Sequence, residues 1–277
     1  MSAPDPVELI DVGRYPILDV GDCGDLIGKA QRGLAATGLA ALEGFCTPAA
    51  IQTMCREAAA LEPDGHHSTI SGSPYLGLPD GSYDVGHPRR AEVDNSLTAI
   101  AYDRFPADSA LRAIYEWEPL RCFLEAVLDR GPLHRYGDTL GALNVAAMRD
   151  GDELGWHFDM TDFVVSIALQ SSVDGGEFEC ASRIRDADDE RYDDVAEVLA
   201  GDRSAVTSVA MEPGTMLLFE GRDSLHRVTP IIGSTPRYVA LLAYDTKPGT
   251  DSTELLKAVR YGRTMADRVE QPAGVTS

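Results

Sequence analysis

Between Gly141 and Asp245 the chain reads as a series of short apolar segments: ALNVAAM, GWHF, FVVSIALQSS, GEFEC, SVAM, GTMLLFEG, LHRVTPII and RYVALLAYD. Asp-Gly, Gly-Gly and Pro-Gly pairs separate several of them, and these are residues that turn a backbone sharply. Many short strands at close spacing leave few ways to bury their apolar faces, and the pattern points to a double sheet or jelly-roll barrel. The first 140 residues differ. Apolar residues at 26, 27, 30, 34 and 35 follow helical spacing up to a stop at Gly38, and a strand fits Leu39 to Leu42. Thr47-Pro48 supplies an N-cap and a first-turn proline for a helix to about Leu61. A further helical region spans about Asp108 to Leu128, and residues 63–96, rich in Gly, Pro, Ser, Asp and His, read as one long loop of the functional kind.

The expected architecture is α+β with a mostly β core, in a single domain covering 1–277. Residues 1–140 form a helical part with a substrate loop, 141–250 the β core, and 251–277 a C-terminal segment. Asp186 to Leu199 interrupts the strands with an acidic run, which reads as a solvated surface excursion rather than a lid.

Charge excludes some partners. With 24 basic and 45 acidic residues the formal net charge is −21, which repels nucleic acid and anionic membranes. Five cysteines without metal-ligand spacing read as reduced thiols. The opening residues lack a basic-then-apolar signal pattern, and no apolar run reaches the ~18 residues of a membrane span. The expectation is a cytoplasmic protein with a small-molecule substrate and no obligate protein partner.

His157 and Asp159 lie two apart in GWHFDMTDF, and on a strand that spacing turns both side chains to one face. One imidazole and one carboxylate offer two ligands of a facial metal triad, which a second histidine completes. The motif alone carries little weight, because six His and 45 carboxylates yield about one such pair by chance. Context changes that. His226, in DSLHRVTPI after the strand-like GTMLLFEG, falls where a paired strand would bring it to the same spot. Eleven residues on, Arg237 opens RYVALLAYD with a forked donor suited to a carboxylate.

These residues, His157-Phe158-Asp159, His226-Arg227-Val228-Thr229-Pro230 and Arg237, resemble the Fe(II)/2-oxoglutarate-dependent oxygenases. DFVVSIALQ, GGEFE, GRDSLHRVTP and YDTKPG are similar to the branch acting on free amino acids, which includes the lysine chlorinases and their hydroxylase relatives. The resemblance implies a double-stranded β-helix, a distorted jelly roll flanked by N-terminal helices. It implies Fe(II) held by His157, Asp159 and His226, with 2-oxoglutarate clamped at its distal carboxylate by Arg237 and O2 as the oxidant. It further implies attack on an unactivated C–H as the cosubstrate becomes succinate and CO2.

In halogenating members Gly or Ala replaces the carboxylate at position 159, so its presence here implies hydroxylation or another oxidative outcome without chlorination. The lysine-acting relatives carry an acid directly after the metal motif to hold the side-chain ammonium, where this chain has Met160. A substrate with an uncharged distal end fits, since an unpaired buried ammonium is costly; a nitro-bearing lysine analogue closing to a cyclopropane is one such case. Asp162 reads equally as a turn residue or a substrate contact. For the amino-acid head group Arg90, in the loop His87-Pro88-Arg89-Arg90, is one candidate partner of the α-carboxylate. Asn144 is placed for a 2-oxoglutarate contact, and Tyr261 either closes over the substrate or packs on a helix. Trp156 should point away from the metal face, and His66, His67 and His134 read as loop or surface residues. A cupin-like metal enzyme without cosubstrate is the rival class, and Arg237 weighs against it. A binding jelly roll with a chance triad is the remaining alternative.

Overall fold

The computed structural model describes residues 3–264. Seven α-helices are found there: α1 (Pro6–Leu9), α2 (Gly24–Thr37), α3 (Pro48–Leu61), α4 (Ala110–Glu116), α5 (Glu118–Leu128), α6 (Tyr192–Leu199) and α7 (Glu254–Tyr261). Local chemistry sets their ends. Gly38 closes α2 at φ 66°, where a Cβ would be strained. Thr47 accepts from the Ala50 amide at 3.2 Å and Pro48 begins α3, as the sequence predicts.

The region expected to be one helix from 108 to 128 is two. Trp117 is extended between α4 and α5, and Pro119 has no amide to return to the Tyr115 carbonyl. That carbonyl accepts instead from the Tyr244 hydroxyl at 3.0 Å.

The strands are β1 (Leu39–Leu42), β2 (His66–Gly72), β3 (Val93–Ile100), β4 (His134–Arg135), β5 (Leu143–Met148), β6 (Leu154–His157), β7 (Val164–Gln170) and β8 (Asp174–Gly175). They continue with β9 (Phe178–Ala181), β10 (Thr207–Val209), β11 (Met216–Phe219), β12 (Leu225–Val228), β13 (Ile231–Ile232), β14 (Arg237–Leu242) and β15 (Tyr244–Asp245). Eleven of them share one antiparallel sheet in the order β1-β11-β7-β14-β5-β3-β6-β12-β9-β10, with β2 on β3. A single residue pair, Asn95 with Leu154, joins β3 to β6. The sheet therefore folds over on itself there into a major sheet of β2, β3, β5, β14, β7, β11 and β1 and a minor sheet of β6, β12, β9 and β10.

One apolar cluster lies between the two. Leu97, Ala99, Ala146, Met148, Leu217 and Phe219 from the major sheet meet Phe178, Cys180 and Val228 from the minor sheet. Alternation along each strand sends the other face outward. On the major sheet that face carries Val145, Val165, Ile167, Leu218 and Ala240 and packs under helices α2 to α5. On the minor sheet Trp156, Ala181 and Leu225 pack with Val195 and Val198 of α6. This is the double-stranded β-helix with flanking helices that the sequence leads one to expect.

The long loop expected at 63–96 is shorter. Its two ends pair as the antiparallel strands β2 and β3 over seven residue pairs, His66 with Ala99 through Gly72 with Val93. β2 is HHSTISG, a mostly exposed polar edge strand, so it lacks the apolar alternation by which strands are read. No helix among the described residues is long and apolar enough to cross a membrane. Of the C-terminal segment 251–277, the part beyond 264 lies outside the described residues.

Candidate metal centre

β6 and β12 pair so that His157 and His226 stand directly opposite one another. Between His226 and Val228 the register slips by one residue. This bulge lets both Leu154 and His157 of β6 face the interior while Trp156 turns outward. Trp156 lies under the guanidinium of Arg227, 4.8 Å from the ring centre, on the side away from the metal motif, as strand alternation predicts.

Asp159 is not on the strand. β6 ends at His157, and the chain stays extended because the Phe158 amide bonds to the Pro74 carbonyl (2.9 Å) and the Asp159 amide to the Gly221 carbonyl (3.0 Å). The two-residue spacing still works, but these two bonds set the position of Asp159 in place of a sheet ladder. Gly221 is required for this. A Cβ there would overlap the Asp159 carboxylate oxygen.

The three side chains converge. His226 Nε2 lies 3.3 Å from one Asp159 carboxylate oxygen and His157 Nε2 3.8 Å from the other. One ligand atom from each residue falls within 4.8 Å of the others. Each imidazole turns its Nδ1 to a backbone carbonyl, Gly155 at 2.8 Å for His157 and Ser224 at 2.9 Å for His226. A carbonyl only accepts, so each Nδ1 carries a hydrogen and Nε2 is the nitrogen turned to the cluster, the one that gives its lone pair to a metal once it is free of a proton.

Burial, then the neighbouring His226 charge, pushes His157 down to about 4 despite the pull of Asp159. Burial also opposes ionisation of Asp159, yet His226, by charge and hydrogen bond, together with His157 and Arg260, holds it down at about 2. His226 is burdened by burial too, but the Asp159 carboxylate outweighs this and raises it. The donor set is two imidazole nitrogens and a carboxylate on one side of a space, which fits a divalent first-row metal and leaves the opposite positions open.

Across the interior, Arg237 begins β14 and is 6% exposed. Among the described residues its guanidinium makes one weak hydrogen bond, from Nη1 to the Met148 sulfur at 4.0 Å, and burial lowers its pKa to about 10. No carboxylate meets it among the described residues. Asn144, on the same face of β5 as Ala146 and Met148, is buried with its Oδ1 unpartnered. A buried guanidinium and a buried amide oxygen without partners are costly unless a ligand completes them.

The other residues singled out from the sequence lie as follows. Met160 is 56% exposed, and its carbonyl accepts from Arg222. Asp162 is exposed and bridged by Arg222 (2.6 Å) and Arg130 (3.4 Å). Arg90 is exposed, donating to the Tyr83 carbonyl at 3.0 Å. Its neighbour Arg89 is engaged by the Tyr192 hydroxyl (2.7 Å) and Glu190 (3.3 Å) and covers the Tyr75 ring. Tyr261, at the end of α7, is buried in the interior cluster.

The acidic stretch is more than a surface excursion: Glu190 and Tyr192 hold Arg89 and so tie it to the 73–92 loop behind Phe158. The sequence also missed Arg260, the residue before Tyr261, whose charge reaches His157 and Asp159. Helical spacing in the short α7 gave no sign of which face met the barrel.

Comparison with solved structures places the fold. The non-heme alpha ketoglutarate dependent carbocyclase SnoK from nogalamycin biosynthesis is similar with a TM-score of 0.57 at 11% identity, covering 85% of this chain and 92% of that one. The epimerase SnoN, in complex with Fe3+, alpha ketoglutarate and nogalamycin RO, is similar with a TM-score of 0.54 at 14% identity, covering 80% and 84%. An oxidoreductase of the 2OG-Fe(II) oxygenase family from Burkholderia pseudomallei gives 0.50 at 15% identity, covering 81% and 92%. A search of the curated proteins finds no sequence match. The sequence profile of HalD, Halogenase D, matches residues 86–257, a stretch running from the loop before β3 through β15 into α7 and so covering all strands of the β-helix except β1 and β2. With more than half of its length matched, including His157, Asp159, His226 and Arg237, the chain belongs to the Halogenase D family and carries the fold of the 2OG-Fe(II) oxygenases.

Proposed function

We propose that the protein is an Fe(II)/2-oxoglutarate-dependent enzyme that oxidises an unactivated C–H bond of a free amino acid or close analogue without halogenating it. The observation that carries this reading is the His157–Asp159–His226 cluster facing the same interior as an unpaired, buried Arg237. Fe(II) would sit among the three side chains, and Arg237 would take the far carboxylate of 2-oxoglutarate, with Asn144 as a further contact. When bound, the iron and 2-oxoglutarate use O2 to supply an oxidant able to remove a hydrogen atom from carbon. The chain's own part is to fix both Nε2 atoms through the Gly155 and Ser224 carbonyls and to keep Asp159 ionised. Its buried walls of Phe178, Phe219 and Val228 keep water from the site.

Asp159 supports a non-halogenating outcome within a family named for halogenation. The carboxylate fills the ligand position that chloride would otherwise take, and Gly221 leaves room for it. Hydroxylation is the leading outcome. Ring closure or desaturation by the same machinery is the second reading, and the environment after the metal motif favours an uncharged distal group. Met160 has no charge and Asp162 is already neutralised by Arg222 and Arg130, so neither offers a free carboxylate to an ammonium.

The test has two stages. Anaerobic Fe(II) with 2-oxoglutarate should give a weak visible charge-transfer band that His226→Ala abolishes. Free amino acids and nitro analogues should then be screened for substrate-dependent succinate, and the product weighed. A gain of one oxygen marks hydroxylation and a loss of two hydrogens marks ring closure or desaturation. Chloride in the main product would sink the non-halogenating assignment, and a folded protein giving no band would sink the whole reading.

A further inference from the structure

Arg237 is held by very little on its own face of the sheet. Its guanidinium makes only the weak bond to the Met148 sulfur, and Met148 is also its register partner across the β14–β5 pair. That pair is the last of its ladder, because β5 ends at Met148 and β14 begins at Arg237. On the other flank β14 meets β7 only from Tyr238 onward, and the register slips there, with Tyr238 opposite Gln170 and Val239 opposite Ala168. Pro236 has no amide with which to extend either ladder. The Gln170 side chain donates to the Pro236 carbonyl at 2.7 Å instead. Strand ends of this kind fray unless side chains tie them down.

The main tie lies on the opposite face. Arg149 and Tyr238, the residues that follow Met148 and Arg237, turn outward toward the helices, and one carboxylate takes both. Glu62 stands in the 3-10 turn Glu62–Asp64 that continues α3. It accepts from Arg149 Nε at 2.6 Å and Nη2 at 2.8 Å, and from the Tyr238 hydroxyl at 2.6 Å. Glu62 and Tyr238 are both buried, and α3 packs against β7. The clamp therefore joins two strand ends to a helix at the last backbone pair. A buried carboxylate with its partners gains little over apolar side chains of the same volume, so stability does not account for it. What its three directed hydrogen bonds fix is position.

We infer that Glu62 is a positioning residue for the cosubstrate. Through Tyr238 and Arg149 it sets the strand ends from which Arg237 reaches the distal carboxylate of 2-oxoglutarate, and so governs the preference for a dicarboxylate over a 2-oxo acid lacking that group. This deepens the functional reading above and rests on it, since Arg237 is the clamp in that reading.

The experiment titrates 2-oxoglutarate and 2-oxobutanoate, the same 2-oxo acid without its distal carboxylate, by calorimetry into the anaerobic full chain loaded with Fe(II). The wild type should prefer 2-oxoglutarate by about 100-fold, the worth of a charge-assisted forked pair. Tyr238→Phe deletes one oxygen and keeps the ring, and it should cut that preference about tenfold by weakening 2-oxoglutarate alone. Glu62→Gln should act in the same direction, and it strands no buried cation because the Arg149 side chain is 61% exposed. Neither variant should change the binding of 2-oxobutanoate or of iron. In an Arg237→Gln background Tyr238→Phe should change nothing further, because a residue that acts through Arg237 has no effect once Arg237 is gone. Equal weakening of both acids, a lower melting point with the preference intact, or the same tenfold loss in the Arg237→Gln background would each mark a merely structural role and overturn the inference. Arg237→Gln alone is the separate readout for the functional reading. If it leaves the preference intact, or the wild type shows none, Arg237 is not the clamp and that reading falls together with the inference. If it abolishes the preference while Tyr238→Phe and Glu62→Gln do not reduce it, the inference alone falls.

Discussion

On the minor-sheet side of the barrel interior the charged groups satisfy one another: two histidines flank one carboxylate, and each imidazole is fixed by a backbone carbonyl. On the major-sheet side the polar groups are left open, with Arg237 and Asn144 buried and lacking a full set of partners. The first arrangement is stable before any ligand arrives and needs only the exchange of an internal ion pair for a metal. The second stores the cost of an unpaired buried charge, which a dicarboxylate relieves on binding. The difference predicts opposite responses to mutation: removing a group on the minor-sheet side breaks a satisfied cluster, whereas removing one on the major-sheet side relieves a burden while losing a ligand.

The largest effect is expected on the minor-sheet side. Asp159→Ala should lower turnover by about 1000-fold or more, since it removes a metal ligand outright and leaves His226 without the carboxylate that raises its pKa. Succinate formation by the variant at the wild-type rate would contradict the assignment. Next, Arg237→Gln should raise the KM for 2-oxoglutarate about 100-fold. The same variant should leave the apo protein as stable as wild type or more so, by up to ~1 kcal/mol or about 2–4 °C in Tm. A large loss of stability would show that the guanidinium is paired in the resting protein and would erase the contrast between the two sides.

These two sides were not equally legible in the sequence. The order His157, Asp159, His226 and Arg237 was readable because strand alternation and the family resemblance fix it along the chain. What the chain order could not show was how Asp159 is held. It lies past the end of β6, positioned by the Phe158 and Asp159 amides donating to the carbonyls of Pro74 and Gly221, residues distant in sequence. β2 escaped notice because an exposed polar edge strand carries no apolar period, and the break at Trp117 because Pro119 allows a helix to start as readily as it ends one. The two-layer barrel was legible throughout, since nearly every apolar segment after Gly141 became a strand.

pH offers a finer test of the minor-sheet side. Metal binding needs both Nε2 atoms free of protons. His226, raised by Asp159, is the first of the ligands to protonate as pH falls, while His157 stays neutral down to about 4 and Asp159 ionised to about 2. Iron affinity should therefore be flat at high pH and fall about tenfold per unit as pH drops through the raised pKa of His226. A second proton enters only near pH 4, where the slope should double. A slope of two starting near neutrality would mean that both histidines titrate together and that Asp159 does not single out His226.

The smallest effect concerns the wall behind the ligands. Phe158 is buried between the two metal-ligand positions of the motif and packs 5.2 Å from Tyr75, while the Arg185 guanidinium covers its other side at 3.8 Å. Tyr75 is in turn covered by Arg89, which Tyr192 and Glu190 hold from the acidic stretch before and within α6. If this stack only secures the 73–92 loop, Tyr192→Phe removes one hydrogen bond and costs about 1 kcal/mol. Cleavage within that loop under limited proteolysis should then rise about fivefold. Iron affinity should not change, because the Gly155 and Ser224 carbonyls still orient both imidazoles and the Gly221 carbonyl still holds the Asp159 amide when the loop loses this one bond. A parallel fall in iron affinity would show instead that the Phe158 amide bond to Pro74 transmits the loop's position to the metal cluster, making the minor-sheet side dependent on the substrate loop.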